Sequence, residues 1–119
     1  MIVTIGNYPN KKQININELV WEDESEGNRI RLDVTFHAKN NSYMLTISNR
    51  KQENGMVQAA ILVSTDFGKA DLRKVFDSVE SAQEWTIKTA IAVDGMFDGL
   101  NGTESMELTS KLAKKEIEF

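Results

Sequence analysis

One histidine, 18 side-chain carboxylates and no cysteine make up the reactive inventory of this 119-residue chain. Without cysteine there is no thiolate nucleophile, no disulfide and no cysteine-ligated zinc or iron–sulfur centre. His37 alone cannot build the usual structural zinc site. A Ser-His-Asp arrangement needs only one histidine, but no serine here lies in a nucleophile-elbow context such as G-x-S-x-G. Alternation places His37 beside Thr35 and Arg31 on a polar strand face, where it reads as a solvated strand residue.

Three motif-like strings carry no more chemistry than His37. Asp66-Phe67-Gly68 spells the metal-binding tripeptide of protein kinases, yet neither a glycine-rich loop nor a His-Arg-Asp loop accompanies it. Asp94, Asp98 and Gly99 suggest a calcium loop only superficially. With Asp98-Gly99 at the loop centre, Met96 falls at a ligand position and Ser105 where the bidentate glutamate belongs. Gly95, Gly99 and Gly102 follow a helical pattern, whereas a phosphate-cradling loop precedes one. The carboxylates that can be placed fall in a loop, on a wet helix face or beside bases, which is a solvated surface rather than a paired acid and base. The chain is therefore expected not to be an enzyme, with no catalytic residue, no cofactor and no metal.

The elements that hold these residues follow from periodicity. Ile30, Leu32, Val34 and Phe36 alternate with Arg31, Asp33, Thr35 and His37. Tyr43, Leu45 and Ile47, then Val57, Ala59, Ile61 and Val63, repeat the period of two. Asn40-Asn41 suits a two-residue hairpin turn, which sets Phe36 across from Leu45 and Val34 across from Ile47. A two-residue turn at Asn54-Gly55 would put Ile61 opposite Ser48, on the wrong face. A three-residue loop, Glu53-Asn54-Gly55 with Gly55 left-handed, puts Ile61 opposite Ile47 and Val63 opposite Leu45. Upstream, Val3 and Ile5, a Tyr8-Pro9-Asn10-Lys11 turn, and Ile14 and Ile16 predict an opening hairpin with Ile5 opposite Ile14 and Val3 opposite Ile16. After Trp21 an acidic loop is predicted, ending at Gly27-Asn28.

Leu72, Val75, Phe76 and Val79 have helical spacing and run into Ala82, Thr86, Ala90, Val93, Phe97 and Leu100. One helix of that length would span about 42 Å, against about 27 Å for eight-residue strands. Asp77-Ser78-Val79-Glu80 reads as a capping box with Asp77 at the N-cap. The long helix is therefore predicted over 78–99, with 71–76 as a short sixth strand and 104–119 as a terminal helix or tail. The predicted fold is α+β in a single domain, 1–119. It comprises an antiparallel β-meander of five to six strands over 1–76, one long helix packed on one face, and a short C-terminal helix or tail.

Forty per cent hydrophobic and 27% charged residues are ordinary for a folded domain. No apolar run approaches the roughly 20 residues of a membrane span. Met1-Ile2-Val3-Thr4-Ile5 lacks the basic start and long apolar core of a secretion signal. The sequons Asn40-Asn41-Ser42 and Asn101-Gly102-Thr103 then read as chance matches, and the expected location is cytoplasmic. Glu22, Asp23, Glu24 and Glu26 account for the net charge of -4, leaving the rest near balance. That argues against the broad basic footprint of a duplex-DNA binder.

At 100° per residue the helix has a core stripe of Val79, Ala82, Thr86, Ala90, Val93 and Phe97. Trp85 falls on one flank and Ile87 and Ile91 on the other, bracketing a wet strip at Glu84 and Lys88. One sheet cannot bury so wide an arc. The cover must come from Met106, Leu108 and Leu112, from a second copy in a homodimer, or from a partner. The leading expectation is a non-catalytic interaction protein acting by macromolecular binding, chiefly protein–protein, with Trp85, Ile87, Ile91 and the acidic Glu22, Asp23, Glu24 and Glu26 as its interface. Its size and style suit a small accessory protein or inhibitor of a phage or mobile element. Single-stranded nucleic-acid binding on the polar sheet face, through Arg29, Arg31, His37 and Arg50, ranks second. That face lacks the exposed aromatics on which bases stack, because Phe36 and Tyr43 carry the core parity. No membrane is expected among the partners.

The final residues, Lys115-Glu116-Ile117-Glu118-Phe119, resemble the acidic, phenylalanine-terminated tip of bacterial single-stranded DNA-binding proteins. In that family the tip docks partner proteins. The similarity is confined to this end of the chain, which lacks the family's run of aspartates and its proline.

Overall fold

Val57, Ala59, Ile61 and Val63 are buried while the residues between them stay partly open, the period of two of a strand with one covered face. The computed structural model describes residues 2–5, 12–24, 29–37 and 42–119, of which 2–5, 17, 22–24, 29–37 and 42 are described by their backbone path alone. The fold is α+β, an antiparallel sheet with two helices. It contains a three-stranded meander of β5 (Ser42–Lys51), β6 (Val57–Thr65) and β7 (Gly68–Phe76). Rows of paired residues cross it, Leu45–Val63–Ala70 and Ile47–Ile61–Leu72, and all six are buried.

The turns follow from their residues. In the β5–β6 loop Gln52 N donates to Met56 O (2.7 Å) and Gly55 N to Gln52 O (3.0 Å), with Gly55 at φ 81°. Only glycine takes that backbone without a Cβ penalty. Asp66-Phe67 forms the two-residue β6–β7 turn, where Thr65 Oγ1 accepts from Phe67 N (3.1 Å). Asp66-Phe67-Gly68 is thus hairpin chemistry. Residues 71–76 belong to a strand that starts three residues earlier than their pattern suggested.

Elsewhere the pairing departs from the expected registers. Strand β4 (Arg29–His37) meets β5 with Phe36 opposite Tyr43, Val34 opposite Leu45 and Leu32 opposite Ile47. This lies two residues from the register predicted with an Asn40-Asn41 turn, and a slip of two keeps every residue on its face. Strands β1 (Ile2–Ile5) and β2 (Lys12–Asn15) pair Val3 with Ile14, again two residues away. Ile16 leaves the strand for a 3-10 turn, Ile16–Glu18, where its side chain is 2% exposed. The turn predicted at Tyr8–Lys11 and the Asn40-Asn41 turn lie outside the described residues. Residues 22–24, expected in a loop, form β3 (Glu22–Glu24), with Glu22 opposite Arg31 and Glu24 opposite Arg29. The pairing therefore assigns seven strands among the described residues, in the order β2-β1-β4-β5-β6-β7 with β3 beside β4, rather than five to six.

Helix α1 (Val79–Phe97) lies across β5, β6 and β7. Its N-cap is Ser78, whose hydroxyl accepts from Ser81 N (3.2 Å), so Asp77 is not the cap. Ala82 and Ala90, fully buried, let the helix approach the sheet closely. Thr86 is tolerated in the same stripe because its Oγ1 donates to Ala82 O (2.7 Å) and accepts from Asn49 Nδ2 (3.1 Å). Helix α2 (Gly102–Ala113) packs on β7 and buries Leu112 completely. Asn101 caps it in a reciprocal box with Glu104, which gives that sequon a structural use.

Candidate interaction surface

Alternation and helical spacing leave the two flanks of α1 with different cover. On one flank Trp85 is half-buried against Phe76, ring centroids 5.8 Å apart at 48°. The indole is large and its N–H needs an acceptor when buried. Here Nε1 is buried with no hydrogen-bond partner among the described residues. Trp85 lines a groove of about 340 Å³ whose other wall is β7, through Leu72, Arg73 and Lys74. Among the described residues strand β7 ends the sheet, paired with β6 on one side only.

Residues beyond α2 complete this groove. Lys115, at φ 60°, turns the chain back, and Ile117 and Phe119 pack half-buried on the core while Glu116 and Glu118 are exposed. Lys115 Nζ donates to Asp71 O, and Lys74 Nζ donates to the Phe119 backbone oxygen (3.3 Å). Of the residues expected to cover the helix, Leu112 and Leu108 pack on the core, whereas Met106 is 50% exposed. Ile117 and Phe119 were not expected in this role. Their signal was the alternation Ile-Glu-Phe, which reads as an extended segment with one apolar side.

Ile87 and Ile91 sit on the opposite flank and do not join Trp85. Ile87 is half-buried on the core and Ile91 is 39% exposed. The acidic residues are remote as well. Glu22, Asp23 and Glu24 lie on β3, with β4, β5 and β6 between it and β7. Four strand spacings make about 19 Å. Glu26 lies outside the described residues.

The open sheet face holds the second candidate set. Arg50 and Arg73 border a hollow of about 190 Å³ with Ser48, Gln58 and Ala60. Arg73 is bound to Asp71 (2.8 Å), which holds its guanidinium still more firmly protonated. Register places Arg29 opposite Arg50 and Arg31 opposite Ser48, but it also places Glu24 and Glu22 opposite those arginines on their other side. His37 pairs with Ser42 at the far end of β4, about 27 Å along the strand from Arg29. These residues do not form one cluster.

At the other end of α1, Tyr43 is 3% exposed and stacks on Phe97 at 4.6 Å. Its hydroxyl donates to Asp94 Oδ1. Burial first, then the bond to Asp94 and the charges of Asp94 and Asp98, hold the phenol well above the ordinary tyrosine pKa. Among the described residues no group of three or more His, Cys, Asp or Glu could hold a metal ion, and no helix is long and apolar enough to cross a membrane. Comparison of the chain with family models, with curated proteins and with solved structures finds no match.

Proposed function

We propose that the chain is a non-catalytic interaction protein that binds another protein through the groove between α1 and β7. The observation that carries this reading is Trp85: a half-buried indole with an unpartnered N–H among the described residues, lining a groove with β7, the last strand in the sheet order. Large amphipathic aromatics in such settings dominate binding energy at interfaces, and an open sheet edge offers backbone groups for pairing. Ile91, though exposed, stands on the far flank and is the internal control. The test is photo-crosslinking in the producing cell from a probe at Lys88, which is exposed between the two flanks. A discrete protein adduct that Trp85→Ala removes and Ile91→Ala leaves supports the reading. An adduct indifferent to Trp85 overturns it.

Single-stranded nucleic-acid binding is the second reading, favoured by the hollow between Arg50 and Arg73. It requires affinity for an oligonucleotide that falls steeply with salt and is lost on Arg50→Glu/Arg73→Glu. The acidic register partners of Arg29 and Arg31 weigh against it.

A further inference from the structure

We propose that the groove beside Trp85 receives an extended segment of a partner protein carrying two apolar side chains two residues apart with acidic neighbours, and that residues 116–119 of the chain itself occupy it as an internal competitor. The inference rests on the protein-binding reading of the Trp85 flank and gives its ligand a chemistry.

The chain's own segment shows what the groove accepts. Ile117 and Phe119 line the groove opposite Trp85 and pack half-buried on the core, while Glu116 and Glu118 stay exposed; the side chains alternate although the backbone bends at Ile117 and forms no strand. Of the groove's lining, Lys74 and Lys115 are exposed and basic, which complements the acids of such a segment, whereas Arg73 is already paired with Asp71. Yet the internal segment is held loosely. Its polar ties to β7 are the two lysine bridges, Lys115 to Asp71 and Lys74 to Phe119, with no backbone ladder to β7 among the described residues. It leaves the buried Trp85 Nε1–H without an acceptor. Buried donors are normally satisfied, so a segment that presents a carbonyl to the indole and pairs with the β7 backbone gains bonds that residues 116–119 do not make.

Tethering gives the internal segment an effective concentration on the order of millimolar. A peptide of the same sequence must therefore bind the intact chain weakly and the uncovered groove more tightly. The readout is the Trp85 indole resonance in a ¹⁵N-labelled full-length chain, distinguished from that of Trp21 by Trp85→Phe. The probe is the peptide acetyl-Lys-Glu-Ile-Glu-Phe. In Ile117→Ser/Phe119→Ser the indole resonance should move. Added peptide should return it toward its original position, with an affinity at least tenfold tighter than for the unmutated chain. A peptide with both apolar residues replaced by serine should not bind.

A resonance that does not move, or one that moves and is not restored, overturns the proposal. If the double variant does not fold, Phe119→Ala is read by the same criteria. A dimer of the unmutated chain in light scattering, lost in the double variant, would make a second copy the occupant and overturn the internal competition. Failure of the peptide with the Trp85-dependent adduct retained overturns the ligand chemistry and leaves the protein-binding reading standing. Loss of both overturns both.

Discussion

Helix α1 meets the sheet through an aromatic pair toward each end, Trp85 with Phe76 and Phe97 with Tyr43. The Tyr43–Phe97 pair is buried on both sides, its rings 4.6 Å apart, and its polar atom is bound to Asp94. The Phe76–Trp85 pair is looser at 5.8 Å and half-open, and its polar atom is buried without a partner. The first is a finished piece of core. The second has the parts of a core and lacks its closing bonds. That difference separates residues that hold the fold from residues available to something else, and it is drawn within one helix.

The largest effect should separate the two ends directly. Phe97 is fully buried, and Phe97→Ala should cost about 3–5 kcal/mol, the transfer and cavity terms of a buried phenylalanine. Trp85→Ala removes a larger ring, but one left partly exposed at the groove. It should cost about 1–2 kcal/mol by the area it buries. Urea unfolding of both variants measures the gap. Equal losses would mean that the Trp85 end is core as well, and the comparison would fail.

The finished end was legible in the sequence and the open end was not. Period-two alternation in Tyr43–Ile47 and Val57–Val63, with the glycine of the Glu53-Asn54-Gly55 loop, specifies a register because a slip of one residue would turn the apolar set outward. The registers at β1–β2 and β4–β5 came out two residues away, where that constraint is silent: a slip of two preserves parity, and only turn geometry decides. Glu22–Glu24 has no alternation and pairs with β4 regardless, since its strand partner carries the hydrophobic pattern. Asn49 sits on the core side of β5 at 1% exposure because it meets Thr86, a pairing between positions 37 residues apart that no local pattern announces. Trp85 was singled out by its helical angle. Its cover by Ile117 and Phe119 depends on the reversal at Lys115, and a lysine at φ 60° leaves no signal in composition or spacing.

The next effect depends on pH. The folded state keeps the Tyr43 phenol protonated above its ordinary value of 10.0. Above about pH 10 the unfolded chain loses that proton and the folded one retains it, so the unfolded state gains. Stability contributed here is complete below pH 10 and falls as pH rises, by about 1.4 kcal/mol per unit. Tyr43→Phe has no such group. At pH 8 it should be less stable by about 1–2 kcal/mol, the cost of a hydrogen bond to a carboxylate left without its donor. The gap should close by pH 11 as the unmutated chain alone loses this contribution. Urea midpoints for both chains from pH 8 to 11 test this, and a constant gap would mean that the phenol is not held protonated by the fold.

The smallest loss is the most informative, because it asks the same question of the other end. Trp85→Phe removes a buried N–H that has no acceptor and about half a ring system of partly buried surface. The lost area destabilises by roughly 1 kcal/mol. Removing an unsatisfied buried donor relieves a penalty of about 1–3 kcal/mol. The two terms oppose each other, and the expected net change runs from about zero to about 2 kcal/mol of stabilisation. Tyr43→Phe and Trp85→Phe thus delete one polar atom each from matching aromatic pairs and should differ by about 1 kcal/mol or more. If Trp85→Phe instead costs as much as Tyr43→Phe, the indole is hydrogen-bonded in the free protein, and the groove is as finished as the core beneath it. If it costs nothing, the N–H is a donor that the chain holds in place without using, which is the property a binding groove needs and a core does not.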